Sequence, residues 1–200
     1  MSHQVSLAVP LLATFLALCS TTAAADTLAE RAGSIEAAIG AGDGGAALDQ
    51  MRAFHHEVAA RAGFGVRQAM LTEAAATGYG IYTPRPESVY APGATVYGYV
   101  EPFGYSLQTD AQGLNAMLFD IDFALQTSDG EPLTDLIPMG AVELTSHNRP
   151  LDAYFHLAYE IDGPEGDYLI WTRVTDRPSG RQAEFTLPVT FRAAATSLSK

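Results

Sequence analysis

Residues 151–161 read LDAYFHLAYEI, and their alternation decides the fold. Leu151, Ala153, Phe155, Leu157, Tyr159 and Ile161 fall on one side, while Asp152, Tyr154, His156 and Glu160 fall on the other. Successive side chains of a strand point to opposite faces, so this pattern describes a strand with one buried face. Turn residues 162–166 (DGPEG) follow, then a strand from Tyr168 to Thr175. A second turn at 176–180 (DRPSG) leads to Ala183, Phe185, Leu187, Val189 and Phe191, again at period two. Pro188 lacks an N–H, so this last strand is expected at an edge or with a bulge. Upstream, Phe119, Ile121, Phe123 and Leu125 share one face of a strand over 118–125, and Pro92-Gly93 introduces another over 95–101. Strands with one apolar face each, at this turn spacing, predict a mainly β chain folded as an antiparallel sandwich over residues 79–194, with a short tail at 195–200.

Before Gly78 the pattern changes. Leu28, Ala32, Ile35 and Ile39 form one helical stripe, broken by the glycine-rich 40–45. Ala47, Met51, Phe54, Val58 and Ala62 form a second, stopped by Gly63, and a third short helix is expected over 66–76. Residues 26–78 are therefore read as an α-helical segment. Residues 5–18 are almost wholly apolar, and the Ala23-Ala24-Ala25 tract before Asp26 has the small-residue form of a signal-peptidase site. The run is shorter than the ~20 residues a spanning helix needs. Residues 1–25 thus read as a secretory signal, and the mature chain as periplasmic or secreted. Cys19 raises lipid anchoring as an alternative, but bulky Leu18 stands where a lipid-attachment box wants a small residue.

The chain carries 23 acidic and 11 basic residues, a net charge of −12, and one cysteine. That cysteine lies in the signal, so the mature chain has no disulfide and no thiolate chemistry. The acidic balance excludes a counterion-releasing nucleic-acid surface and docking on an anionic membrane. No stable membrane insertion is expected after signal cleavage, and no cofactor motif is present.

Gly163-Pro164-Glu165-Gly166-Asp167-Tyr168, with 175–180 (TDRPSG) after it, resembles the late strands of immunoglobulin-like and fibronectin-III-like modules. In the corner motif of those modules a tyrosine hydroxyl closes onto backbone, a structural role that the resemblance gives to Tyr168. Tyr79-Gly80-Ile81-Tyr82 and the segment 90–105 are similar to uncharacterised exported bacterial proteins. The resemblance implies an immunoglobulin-like antiparallel β-sandwich with an N-terminal helical segment, and no activity.

Candidate sites are few. Tyr97, Tyr99 and Glu101 share one strand face near Tyr105, and a row of aromatics one pleat apart can stack a glycan or peptide. The preferred reading is that these rings fill the seam where the helices dock. His147, Asp152 and His156 could hold zinc or copper, although isolated strand histidines are commoner on surfaces. His55 and His56 point about 100° apart on a helix, unlike a metal pair at i, i+4. His56 lies over Arg52 and Asp49. Asp120 and Asp122 share a solvent face, and no nucleophile elbow or calcium loop occurs. The expected function is that of an exported, non-catalytic binding or interaction protein for a protein or glycan ligand. A structural subunit of a periplasmic assembly is the second reading and a hydrolase the last.

Overall fold

Thr27 starts the first helix, α1 (Leu28–Gly40), through a reciprocal cap: its hydroxyl accepts from the Glu30 N–H while the Glu30 carboxylate accepts from the Thr27 N–H. Asp43 caps α2 (Gly44–Ala62) by accepting from the Ala46 N–H at 2.9 Å. Glu57 of α2 pairs with Arg31 of α1 and with Arg61 one turn on, which ties the two helices into a hairpin. The computed structural model describes residues 26–193. The expected signal at 1–25, Cys19 included, and the tail at 195–200 lie outside the described residues.

Strands follow in the order β1 (Gly65–Thr72), β2 (Val89–Tyr90), β3 (Thr95–Phe103), β4 (Gln108–Thr109), β5 (Asn115–Thr127), β6 (Ile137–Ser146), β7 (Phe155–Glu160), β8 (Gly166–Asp176) and β9 (Arg181–Phe191). One antiparallel sheet runs β1-β3-β7; a mixed sheet runs β2-β9-β8-β5-β6, with β4 also on β5. The expected third helix is corrected by this topology. Residues 65–72 pair with β3 from Gly65↔Phe103 to Thr72↔Tyr97. Ala69, Met70 and Leu71 favour a helix in isolation, but propensities of a few tenths of a kcal/mol per residue yield to a sheet edge that needs a partner. The helical part therefore ends at Ala62, not near residue 78.

The two sheets share one core. Val96, Val100, Phe155, Leu157 and Tyr159 of the first meet Phe119, Ile121, Phe123, Ile170, Val174, Leu187 and Val189 of the second in one core. Phe119 lies 5.6 Å from Phe155, and Phe123 meets Tyr159 edge-on at 5.5 Å. Tyr159 and Thr172 satisfy each other's buried hydroxyls at 2.8 Å. The alternation of 153–161 is realised: Ala153, Phe155, Leu157, Tyr159 and Ile161 are all buried. Pro188 sits where its missing N–H does no harm. The N–H groups of Thr190 and Arg192 bond toward β2, so position 188 faces the same edge beyond the end of that short strand. Asp120 and Asp122 occupy the outer face, held by Arg177 and Arg173.

Both faces of β3 are covered. Val96 and Val100 face the core, and Tyr99 and Glu101 on the other face are 0% and 5% exposed. The cover over Tyr99 is not the helical hairpin. Tyr82 lies against its ring at 4.3 Å, and Tyr154 stacks on it at 5.7 Å. The expected helix–sandwich seam over these tyrosines is thus replaced by the connection between β1 and β2. The helices reach the β-domain lower down, where Phe64 stacks on Phe119 and Gly104 lies against the Gly63 and Ala59 carbonyls. Gly104 has φ +64, and a Cβ there would overlap the Gly63 carbonyl. Only glycine allows this approach.

Candidate functional site

Where α2 meets the β-domain, two neighbouring clefts share a wall formed by His55, Ala59, Phe103 and Leu151. The smaller, about 190 Å³, ends on a closed polar network. A β-bulge between Val66 and Gln68 takes Arg67 out of the ladder beside Glu101. Arg67 donates to Glu101 Oε2, from Nε at 3.1 Å, and to the Tyr79 hydroxyl. Tyr99 donates to Glu101 Oε1 at 2.7 Å and accepts from the Gly80 N–H at 2.9 Å. Tyr79 Oη lies 3.3 Å from Glu101 and 3.2 Å from Asp152. Burial alone would raise the Glu101 pKa, but the hydrogen bonds from Tyr99 and Arg67 outweigh it and hold the carboxyl below its ordinary range. Burial pushes Tyr99 far up, and it pushes Tyr79 up with help from Asp152. Tyr99 and Glu101 are linked here as neighbours on one strand face, but as partners in a filled network. A ring that is wholly buried offers no stacking face.

The larger cleft, about 430 Å³, lies on the other side of His55. Its walls are His55, His56 and Ala60 of α2, Tyr105 to Leu107 after β3, Asn115 of β5, Arg149, and Arg181 of β9. Arg181 is occupied: it donates to the Gly104 carbonyl at 2.8 Å and lies 3.4 Å from the buried Asp176 carboxylate. Ser106 donates its hydroxyl to Asp176 at 2.7 Å, so it is not presented to an imidazole as a nucleophile. Arg149, by contrast, makes no side-chain hydrogen bond or ion pair among the described residues. The Tyr105 hydroxyl is buried in the wall without a partner, and burial pushes its pKa up to about 12. His56 is held below its ordinary pKa, first by burial, then by Arg149, His55 and Arg52.

Of the expected binding residues, then, Tyr105 lines the larger cleft, Glu101 the smaller, Tyr99 is sealed and Tyr97 is half-buried on β3. The expected metal trio is not assembled. Among the described residues no three His, Cys, Asp or Glu side chains are grouped to hold a metal ion. Asp152 is instead turned to Tyr79, and His156 is exposed on β7 opposite Tyr99. Tyr168 donates to the Pro164 carbonyl at 3.1 Å. Arg67 and Arg149 carry no sequence signal, and Tyr79 stands out there only within Tyr79-Gly80-Ile81-Tyr82; the fold brings all three to a cleft. Among the described residues no helix is long and apolar enough to cross a membrane.

No protein-family model matches the sequence, and no curated protein matches it. Among solved structures, the sporulation control protein Spo0M from Bacillus subtilis is similar at 14% identity and a TM-score of 0.38, over 66% of this chain and 50% of that one. A family 123 glycoside hydrolase from Clostridium perfringens is similar at 9% identity and a TM-score of 0.35, over 53% of this chain and 22% of that one. The chain therefore spans at most half the length of these two proteins, both of which are β-rich.

Proposed function

We propose that this chain is an exported, non-catalytic binding protein that takes its ligand in the larger cleft between α2 and the β-domain. The observation that supports it is the cleft itself: about 430 Å³ of concave space whose wall contains a cationic side chain and a buried hydroxyl without partners. Concave sites with apolar walls and a few convergent polar groups are where proteins hold small ligands. Phe103, Leu107 and Leu151 supply the apolar wall. The scaffold is proposed to be immunoglobulin-like, with the Tyr168–Pro164 contact as its tyrosine corner. Export rests on residues 1–25, and mature protein from its host should begin at Asp26; a lipid-bearing Cys19 at the N-terminus would replace secretion with anchoring.

The test is a ligand screen by melting temperature, run in parallel on wild type and Leu151→Trp, whose indole would fill the cleft. Ligands of this site raise the wild-type Tm by mass action and leave the variant unmoved. Hits that shift both proteins equally would place binding elsewhere and overturn the reading. The accessory-subunit reading has one observation in its favour. Ile39, Leu48 and Met51 lie exposed on the helical hairpin. If they mediate assembly, Leu48→Glu with Met51→Glu should lower the mass measured by light scattering.

A further inference from the structure

The charge around the cleft is opposite to the charge of the chain. Acidic residues outnumber basic ones 23 to 11 in the whole sequence, yet none of the residues lining the larger cleft is Asp or Glu. Most arginines near a carboxylate use it: Arg31 and Arg61 hold Glu57, Arg67 holds Glu101, Arg173 holds Asp122, Arg177 holds Asp120 and Arg181 holds Asp176. Arg149 does not, and neither does Arg52, one turn along α2 from His56. These two arginines and His56 surround an adjoining hollow with Asn148. Asp49 also borders it, and among the described residues its carboxylate forms no ion pair. One carboxylate against two arginines leaves the group incompletely neutralised, and the proton of His56 is disfavoured first by burial, then by Arg149, His55 and Arg52. An anion placed between them would complete the neutralisation.

Resting on the proposed cleft, we infer that its ligand is a small organic anion. Its carboxylate or phosphate meets Arg149 and His56, and its apolar body lies on Phe103, Leu107 and Leu151. Arginine matches such groups with two parallel N–H donors, and a protonated imidazole adds a third. Binding and protonation of His56 are linked: the anion favours the imidazolium, so affinity rises as pH falls through the depressed folded pKa of His56. The other charged and titratable groups facing His56 are Asp49, Arg52 and His55 on its own helix, with Arg149 and Arg181 across the cleft. Asp49 works against the anion, and its partial compensation by Arg52 sets the size of the effect.

The experiment titrates the full mature chain with benzoate, phenyl phosphate and benzyl alcohol, followed by NMR of the histidine imidazoles and by calorimetry. Benzoate and phenyl phosphate should both bind, and benzoate, ionised throughout this range, should bind several-fold more tightly near pH 5.5 than near pH 7.5. Arg149→Gln should weaken both about tenfold, as expected when one charge-assisted hydrogen-bonding partner is lost, and Arg149→Lys should restore part of it. His56→Gln should abolish the pH dependence of benzoate binding while leaving some binding. Arg149 is exposed, so its variants test the site and not the fold. Benzyl alcohol binding as tightly as benzoate at the same histidines would overturn the anionic class while leaving the ligand cleft in place. Absence of any shift at His55 and His56 with all three probes would overturn both.

Discussion

The two clefts share a wall and differ in one respect. At Glu101 every polar group has a partner: the carboxylate receives Tyr99 and Arg67, Tyr79 bridges to Asp152, and the Gly80 N–H reaches Tyr99. Across His55, the Tyr105 hydroxyl and the Arg149 guanidinium have none among the described residues. A satisfied buried network contributes to stability and specifies one packing. An unsatisfied hydroxyl costs about 1–3 kcal/mol; the Tyr90 hydroxyl, outside both clefts, is buried unpaired in the same way. That difference between the clefts is why the larger, and not the smaller, is the one proposed to take a ligand.

The largest effect should come from disturbing the close approach of α2 to the end of β3. Gly104→Ala would require a left-handed alanine and an overlap with the Gly63 carbonyl. The first costs about 1–2 kcal/mol and the second about 1–3, so urea unfolding should show a loss near 3–4 kcal/mol. A loss under ~1 kcal/mol would mean that α2 does not close on β3 as described. Next comes Tyr99→Phe, which takes a donor from an ionised carboxylate and an acceptor from Gly80. It should cost about 2 kcal/mol.

Glu101 sharpens the same point through pH. Its folded pKa lies below the ordinary 4.5, so the unfolded chain takes up the proton first as pH falls. The stabilisation is complete above the ordinary carboxylate range and is lost as pH drops through the folded value. Wild-type Tm should therefore fall on acidification below about pH 4.5 more steeply than that of Glu101→Gln. Equal slopes would remove Glu101 from the network's energetics. Tyr168→Phe loses one peripheral hydrogen bond to Pro164 and should cost about 0.5–1.5 kcal/mol. Tyr105→Phe closes the series. Removal of a buried hydroxyl without a partner should leave stability unchanged or raise it slightly. A loss as large as that of Tyr99→Phe would show that the cleft wall is satisfied and would erase the contrast.

What was legible in sequence is what depends on neighbours close along the chain. The stripes at Leu28, Ile35 and at Ala47, Phe54 became α1 and α2, because helical contacts lie three or four residues apart. The alternations at 119–125 and 153–161 became β5 and β7, because a half-buried pleat repeats every two residues. His55 and His56 were noticed for pointing apart, and that divergence places one on the wall shared by both clefts and the other toward Arg149. What tertiary structure decided was every feature whose partners are distant. Residues 66–72 carry helix-favouring side chains, yet form β1 because the edge of β3 supplies hydrogen bonds that outweigh weak local preference. Glu101 alternates with valines like any outward residue, and its burial depends on Tyr79 and Tyr82 folding back over β3 and on Arg67 leaving the ladder at a bulge. Arg149 carries no local signal; it is distinctive only because the fold sets it beside His56 without an ion pair among the described residues. Periodicity along a chain reports which face of an element is apolar. It cannot report what the opposite face meets, since that is settled by contacts between segments that sequence places far apart.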